Sequence, residues 1–393
     1  MRTLTLHDVD FNGKTVLVRV DYNVPLGEER ILDDTRIQAS IPTIKHLLNY
    51  KTKIILISHL GRPLKTGKKN VSLQLMAWRL SRLLGNPVNF VPDCIGKMVR
   101  KEVDALDFGE ILMLENLRFY PEEEGNDLFF AKELANLADI FVSDAFGTAH
   151  REHASVVGIP KFIPAVAGFL MQKEIEMLGQ VVNTPPKPFV VISGGAKIGE
   201  KIELLESLMP SVDTFLIGGG IANTFLKAQG YNIGASLCED EALESCKAFL
   251  IKAKELGKNI VLPVDVACAT VFEKDAKRVE KTFAEVKPND LILDIGQNTI
   301  DLFETTLKKA KTIFWNGGLG VTEFKNFAKG SRDIATMLSK AKSTRIVGGG
   351  DTAGAIQQFN LSETFDHVST GGGASLKFVQ AGTLPGIEAL DTA

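Results

Sequence analysis

The chain has little with which to build redox, metal-cluster or covalent chemistry. Its 393 residues include four cysteines, six histidines and two tryptophans. Cys94, Cys238, Cys246 and Cys268 are scattered without a C-x-x-C pair. Neither a disulfide frame nor a zinc site is expected, and the thiols read as reduced, small hydrophobes in a cytoplasmic protein. No segment approaches the roughly 18 uninterrupted apolar residues of a membrane span, and the opening MRTLTLHDVDFNGK has no apolar core of a secretory signal. Charge of one sign is also missing: the net value is −3, so no global field argues for nucleic acid or an anionic membrane as partner. No Ser/His/Asp or Cys/His constellation for nucleophilic catalysis is evident.

What is present is unevenly placed. Residues 1–170 hold ten of the thirteen arginines but only eleven of the 35 glycines. The later residues hold glycine runs: Gly194-Gly195, Gly218-Gly219-Gly220, Gly317-Gly318, Gly348-Gly349-Gly350 and Gly371-Gly372-Gly373. Arginine forks grip small anions bidentately. Glycines at helix starts let bare backbone N–H groups close on phosphates. A chain of this length is expected to form two domains. One half suits a small polyanion and the other a nucleotide.

Short apolar runs alternate with amphipathic stretches throughout. The expected strands are Thr15–Val20, Lys53–Ser58, Val88–Val91, Ile111–Leu114 and Ile140–Ser143, then Phe189–Ser193, Thr214–Ile217, Ile260–Pro263, Leu291–Leu293, Thr312–Trp315, Arg345–Val347 and His367–Ser369. Most are continuous Val/Ile/Leu/Phe runs, as in strands covered on both faces. Asp34–Tyr50 carries Ile37, Ile41, Ile44 and Leu48 at helical spacing, and Ser72–Leu84 has a serine to cap its start and Gly85 to stop it. The pattern predicts an α/β protein of two Rossmann-like domains, each a parallel sheet with helices on both faces. Met171–Val182 reads as a hinge helix, followed by the stiff linker Asn183–Pro188. The expected divisions are 1–170, a hinge and linker over 171–186 and a second domain from 187 onward.

Ligands of open parallel sheets collect beyond the carboxyl ends of strands, and the polar motifs fall there. Asp21-Tyr22-Asn23 follows the first strand, with Arg36 opening the next helix; His59-Leu60-Gly61-Arg62 follows the second. Arg118 follows the run ILMLE and Arg151 follows IFVS. A single such arginine is more commonly a surface ion pair, but repetition at equivalent positions favours a site. In the second half, Lys197 and Lys201 stand one turn apart where SGGAKIGEK leaves a strand, a place where two ammonium groups can bracket phosphates. Gly348–Ala353 matches G-x-G-x-x-A after a strand and leaves an NAD-dependent oxidoreductase as an alternative, although Asp351 would place a negative charge inside a pyrophosphate cradle. For Asp351 itself a helix N-cap is the plainer possibility.

With these motifs in hand the chain resembles the phosphoglycerate kinase family over essentially its whole length. RVDYNVP, DDTRI, SHLGRP, LENLRFYPEEE, DAFGTAHREHAS, SGGAKIGEK, GGGIANTFL, WNGGLG, GGGDTA and STGGGASL stand in the family's order. The resemblance implies reversible phosphoryl transfer between 1,3-bisphosphoglycerate with ADP and 3-phosphoglycerate with ATP, Mg2+ as cofactor, a hinge-bending monomer whose second domain ends at 380 and whose C-terminal segment 381–393 returns to the N-terminal domain, and no nucleic-acid or membrane partner. It assigns Asp21, Tyr22, Asn23, Arg36, His59, Leu60, Gly61, Arg62, Arg118 and Arg151 to the 3-phosphoglycerate end. Lys201, Glu323, Gly349, Gly350, Asp351 and Thr352 would bind nucleotide, with Asp351 serving the metal. Arg36, Lys197, Gly350 and Gly372 would surround the phosphoryl group in flight. The acceptor is then a carboxylate, ionised at neutral pH, so no general base is required. The family's proline, methionine and aromatic residue are missing from Asn316–Glu323, which alters the nucleoside contacts but retains Glu323.

Overall fold

The structure, a computed structural model, describes residues 2–27, 30–66 and 71–392. The first half contributes β1 (Thr15–Val20), β2 (Lys53–Ile57), β3 (Val88–Phe90), β4 (Ile111–Met113), β5 (Ile140–Asp144) and β6 (Ala165–Ala167). They form one sheet in the order β3-β4-β2-β1-β5-β6, parallel throughout. β5 is buried at every position and β1 and β2 at all but the first, which accounts for their unbroken apolar sequences. Ile44, Ile54, Leu56, Leu80 and Met113 meet in the core on one side.

The second half contributes β7 (Phe189–Ser193), β8 (Thr214–Ile217), β9 (Asn259–Val261), β10 (Val266–Ala269), β11 (Val279–Lys281), β12 (Leu291–Ile295), β13 (Thr312–Asn316), β14 (Thr344–Val347) and β15 (His367–Val368). Six of these make a second parallel sheet, β15-β14-β13-β7-β8-β9. The other three make an antiparallel sheet, β11-β10-β12, which corrects the expectation that the Leu291 run joins a parallel sheet. Arg278 fastens this small sheet by donating to Asp294 at 2.7 Å and to the Ile295 carbonyl at 2.9 Å.

Met1–Glu176 with Thr383–Ala393 make one compact unit, and Met177–Gly382 make the other. The division falls inside the helix Phe169–Val182. The terminal segment belongs to the first unit for a backbone reason. Asp391 exchanges hydrogen bonds with Ala165 on the β6 edge, and Gly386 donates to the Ala149 carbonyl at 2.8 Å. One helix start differs from expectation. The N-cap position of the helix Gln74–Leu84 is Leu73, one residue later than expected; the Ser72 hydroxyl still accepts the Gln74 N–H at 3.2 Å while donating to Glu115 at 2.7 Å. Gly85 ends that helix in the left-handed conformation, as expected.

Asp144, the last residue of β5, is fully buried at the start of the helix Phe169–Val182. One of its carboxylate oxygens accepts from the Leu170 and Met171 N–H groups at 2.9 and 3.3 Å, and the other has no hydrogen-bond partner among the described residues. Burial raises its pKa to about 7, against the Thr43 hydroxyl and the two N–H groups, which favour the anion. The folded-state pKa lies above the unfolded one, so the favourable contribution is complete at acid pH and is lost as pH rises through the folded pKa. We expect Asp144→Asn, a permanently neutral side chain, to gain on the order of 2 kcal/mol relative to wild type between pH 5 and pH 8. Urea unfolding of both proteins at the two pH values checks it; a constant difference would mean that Asp144 ionises normally.

Candidate active site in two halves

The first half-site grows out of the loops beyond β1, β2, β4 and β5. Side-chain amides lace these loops together. Asn23 accepts the Gly61 N–H at 2.9 Å, joining the β1 and β2 exits. Asn116 accepts the Leu60 and Arg118 N–H groups, each at 3.1 Å, and donates to the Leu60 and Val71 carbonyls, each at 2.8 Å. Gly61 holds φ +62°, a conformation that suits glycine at this tight junction. Its carbonyl accepts Arg118 at 2.5 Å.

Arg36 reaches from the first turn of the helix Thr35–Leu48 to Asp21 at 3.0 Å and to the Asn23 carbonyl at 3.1 Å. Arg19, wholly buried within β1, donates to Ser155 at 2.9 Å and approaches His59 Nδ1 at 3.1 Å. Arginine can only donate, so Nδ1 is the acceptor and the His59 proton resides on Nε2. Burial, then Arg19, Arg118, Arg151 and Arg36, hold the His59 pKa well below its ordinary value. His59 is therefore a neutral donor, and its Nε2 finds no acceptor among the described residues.

The arginines feel one another. Burial, then Arg151, lower Arg118 to about 10, and burial, then Arg62, lower Arg151. Arg19, Arg36, Arg62, Arg118 and Arg151 thus share one locale with the carboxylates of Asp21, Glu123 and Glu124. Five guanidinium groups against three carboxylates leave a positive surplus that an anion would neutralise.

Two of the assigned residues have buried side chains. Tyr22 lies between Asp21 and Asn23 but faces the other way. It is fully buried, its hydroxyl bonds Ser40 at 2.8 Å, and burial raises its pKa. Leu60 is likewise packed into the core beside β2. Both side chains are closed off from the surface, and only the backbone of these two residues adjoins the loops. Arg19 and Asn116 were missed. An arginine within the apolar run TVLVRV was a usable signal for the first, whereas the cross-loop bonds of Asn116 left no trace in the sequence.

The second half-site lies where β7 and β13 run side by side and their chain connections diverge, the place such sheets offer to ligands. Gly194 and Gly195 donate to the carbonyls of Asn316 and Gly318 at 3.0 and 2.8 Å, closing the two exits on each other. Gly317 holds φ +96°, and a Cβ there would run into the Gly194 carbonyl, so only glycine fits. Asn316 accepts Lys201 Nζ at 2.5 Å and donates to the Gly348 carbonyl at 2.7 Å. Thr352 is buried, its hydroxyl accepting the Gly317 N–H at 2.6 Å, so it braces this turn. Lys197 is exposed immediately before the buried Ile198.

Gly350 opens the helix Gly350–Gln358, and Gly372 caps Gly373–Ala381. Neither N–H finds an acceptor among the described residues, and a Cβ added at either position would meet nothing within 4 Å. Asp351 is not the N-cap of its helix: Gly349 is, leaving the Asp351 carboxylate exposed on the first turn. A cavity of about 600 Å³ adjoins, lined by Gly195, Gly219, Leu237, Phe272, Glu323 and Asp351 among others. Its apolar wall and bare backbone suit a nucleoside with a phosphate chain. Leu237 and Phe272, distant in sequence, were not foreseen as part of it.

A family model described as phosphoglycerate kinase matches residues 6–382. The chain belongs to that family. It is 49% identical to the phosphoglycerate kinase of Borrelia turicatae over 394 residues, covering 100% of both chains. It is also 49% identical to that of Dictyoglomus turgidum, covering 98% of each. Among solved structures, phosphoglycerate kinase from Coxiella burnetii superimposes with a TM-score of 0.90 at 41% identity, and that from Pyrococcus horikoshii with 0.86 at 31%, each covering 98% of both chains. The chain is a phosphotransferase that interconverts 1,3-bisphosphoglycerate plus ADP with 3-phosphoglycerate plus ATP. Nothing in these comparisons supports the nicotinamide-dependent alternative. Among the described residues no helix is long and apolar enough to cross a membrane.

Proposed function

We propose that the first unit holds the phosphoglycerate and the second the nucleotide, and that the phosphoryl group passes directly between them in a cytoplasmic monomer. The observation that carries this division is the surplus of guanidinium groups around a neutral, buried His59 donor. Arg62, Arg118 and Arg151 bind the substrate anion by charge-assisted forks, while Asp21, Asn23, Gly61 and His59 supply directional contacts. Lys201, already oriented by Asn316, holds nucleotide phosphate in the ground state. Glu323, in the cavity wall, suits the ribose, and Gly349 and Gly350 bring backbone to the phosphates. Thr352 acts through its grip on Gly317.

The nucleotide's Mg2+ fits this chemistry. Asp351 is one exposed carboxylate beside the cavity, and magnesium is commonly held by one or two carboxylates together with substrate phosphates and water. The ion supplies positive charge to phosphate oxygens. The protein's own part is alignment and charge. The carboxylate acceptor needs no base, and the barrier is repulsion between two anions. Lys197, Arg36 and the Gly350 and Gly372 N–H groups offset the charge on the equatorial oxygens. Direct transfer requires the two ligands to come into line, and we assign that closure to the region of the helix Phe169–Val182.

A crossed calorimetric experiment tests the division. Arg62→Ala should weaken 3-phosphoglycerate binding about tenfold or more, since a charge-assisted hydrogen bond is worth roughly 1.5–3 kcal/mol, and leave MgADP affinity within about twofold. Asp351→Ala should do the reverse and raise the magnesium concentration needed for activity. Equal losses of both ligands in either variant would contradict the assignment.

A further inference from the structure

The lysine segment of the second unit depends on a residue 38 positions beyond its last lysine. The helix Gly199–Leu208 carries Lys201 and begins just after Lys197, yet its N-cap position, Ile198, makes no side-chain capping bond. An uncapped helix start leaves N–H groups without acceptors. Here the Glu239 carboxylate fills that role from elsewhere in the chain. One oxygen accepts the Ile198 N–H at 3.0 Å and the other the Gly199 N–H at 3.3 Å.

Glu239 is itself tethered. Its N–H donates to the Thr224 hydroxyl at 3.3 Å, and its neighbour Asp240 accepts Lys227 at 2.7 Å, both from the helix Gly219–Ala228. That helix also touches the lysine segment directly, through the Ile221 N–H and the Gly195 carbonyl at 3.0 Å. Ile198 is buried, so its side chain and its N–H are both held while Lys197 projects from the residue before it.

We infer that Glu239 is a positioning residue for phosphoryl transfer, fixing the backbone from which Lys197 reaches the transferring group. The inference rests on the reading of Lys197 as a transition-state contact. In this role Glu239 acts through the lysine and not on a substrate. It orients the lysine through two backbone N–H groups, and its negative charge occupies the positive end of the helix that would otherwise attract phosphate. Loss of the carboxylate has two distinguishable consequences. The lysine becomes less well placed, and an error of about 1 Å in such a group can cost on the order of 10²-fold in rate. The freed N–H groups become available to anions, so nucleotide binding in the ground state is unchanged or tighter.

Steady-state kinetics on Glu239→Ala, Glu239→Gln, Lys197→Ala and the double variant Lys197→Ala/Glu239→Ala test this, with thermal melts of each. For Glu239→Ala we expect kcat to fall about 10- to 100-fold, with MgATP KM unchanged or lower and 3-phosphoglycerate KM unchanged. Glu239→Gln keeps an acceptor oxygen and should recover part of kcat. The double variant should be no slower than Lys197→Ala, because a residue acting through the lysine has nothing left to position. A role confined to stability would lower Tm by a few degrees and leave kcat of the folded enzyme intact. If Glu239→Ala keeps kcat within about twofold while Lys197→Ala is severely impaired, the positioning role is wrong and the lysine's role stands. If Lys197→Ala is itself near wild type, both fall.

Discussion

Lys197→Ala should lower kcat by roughly 10²–10⁵ while nucleotide KM changes by less than about threefold. The two lysines of the segment differ in their surroundings. Lys201 Nζ is held by Asn316 at 2.5 Å, so it is oriented before any ligand arrives and contributes to ground-state binding. Lys197 is exposed beside the anchored Ile198, where a ligand or a closing segment can meet it. Interactions made only in the transition state appear in kcat, and those made throughout appear in KM as well. Lys201→Ala should therefore raise nucleotide KM. Lys197→Arg should restore little, because a planar fork does not replace a compact ammonium among backbone N–H groups. An exposed lysine with no such duty would change activity less than about twofold and stability within about 0.5 kcal/mol. Steady-state kinetics on the single variants decides it, and a near-wild-type kcat for Lys197→Ala would remove it from the chemistry.

The parallel sheets were readable because β1, β2, β5, β7 and β13 are buried on both faces, which forces unbroken apolar runs onto the sequence. β6, β10 and β11 escaped notice: β10, Val266–Ala269, is buried throughout, but its short alanine- and cysteine-containing run does not read as a strand, and the other two lack that pressure. β6 is Ala165-Val166-Ala167, too short and too rich in alanine to announce a strand, and it exists through pairing with β5. β11, Val279-Glu280-Lys281, is polar because it lies at an edge, and its alignment comes from β10. In the site, arginines at strand ends stood out because topology gives those positions meaning. Tyr22 and Leu60 were included as motif neighbours, yet both are drawn into the core while Asp21, Asn23 and Gly61 carry the polar contacts. The His59 tautomer, the Asn116 lacing and the Glu239 cap all depend on partners far away in the chain, and no local pattern encodes them.

Arg36→Ala should be the most damaging change in the first unit, lowering kcat by about 10²–10⁴ and destabilising the unit by about 1–2 kcal/mol. The stability term follows from Asp21. Its carboxylate is 7% exposed and its ion partner is Arg36 at 3.0 Å, with His59 Nδ1 4.0 Å from the other oxygen. His59 is held neutral and cannot replace the lost charge, and Arg19 and Arg151, which also act on Asp21, soften the loss without replacing the direct contact. The destabilisation is smaller than for a fully buried pair because Arg36 remains about a third exposed, at 31%. The catalytic term is separate. If Arg36 also meets the transferring phosphoryl group, correcting the Asp21 imbalance will not restore activity. The double variant Arg36→Ala/Asp21→Asn should recover most of the lost stability, because no carboxylate remains that has lost its nearest cation, yet stay as slow as Arg36→Ala. Arg36→Lys should behave similarly, returning charge to Asp21 without the fork that reaches Asp21 and the Asn23 carbonyl together. Chemical denaturation and kcat on the same preparations separate the two terms. Parallel recovery of stability and kcat in the double variant would show that Arg36 serves only to neutralise Asp21, and would take it off the reaction path.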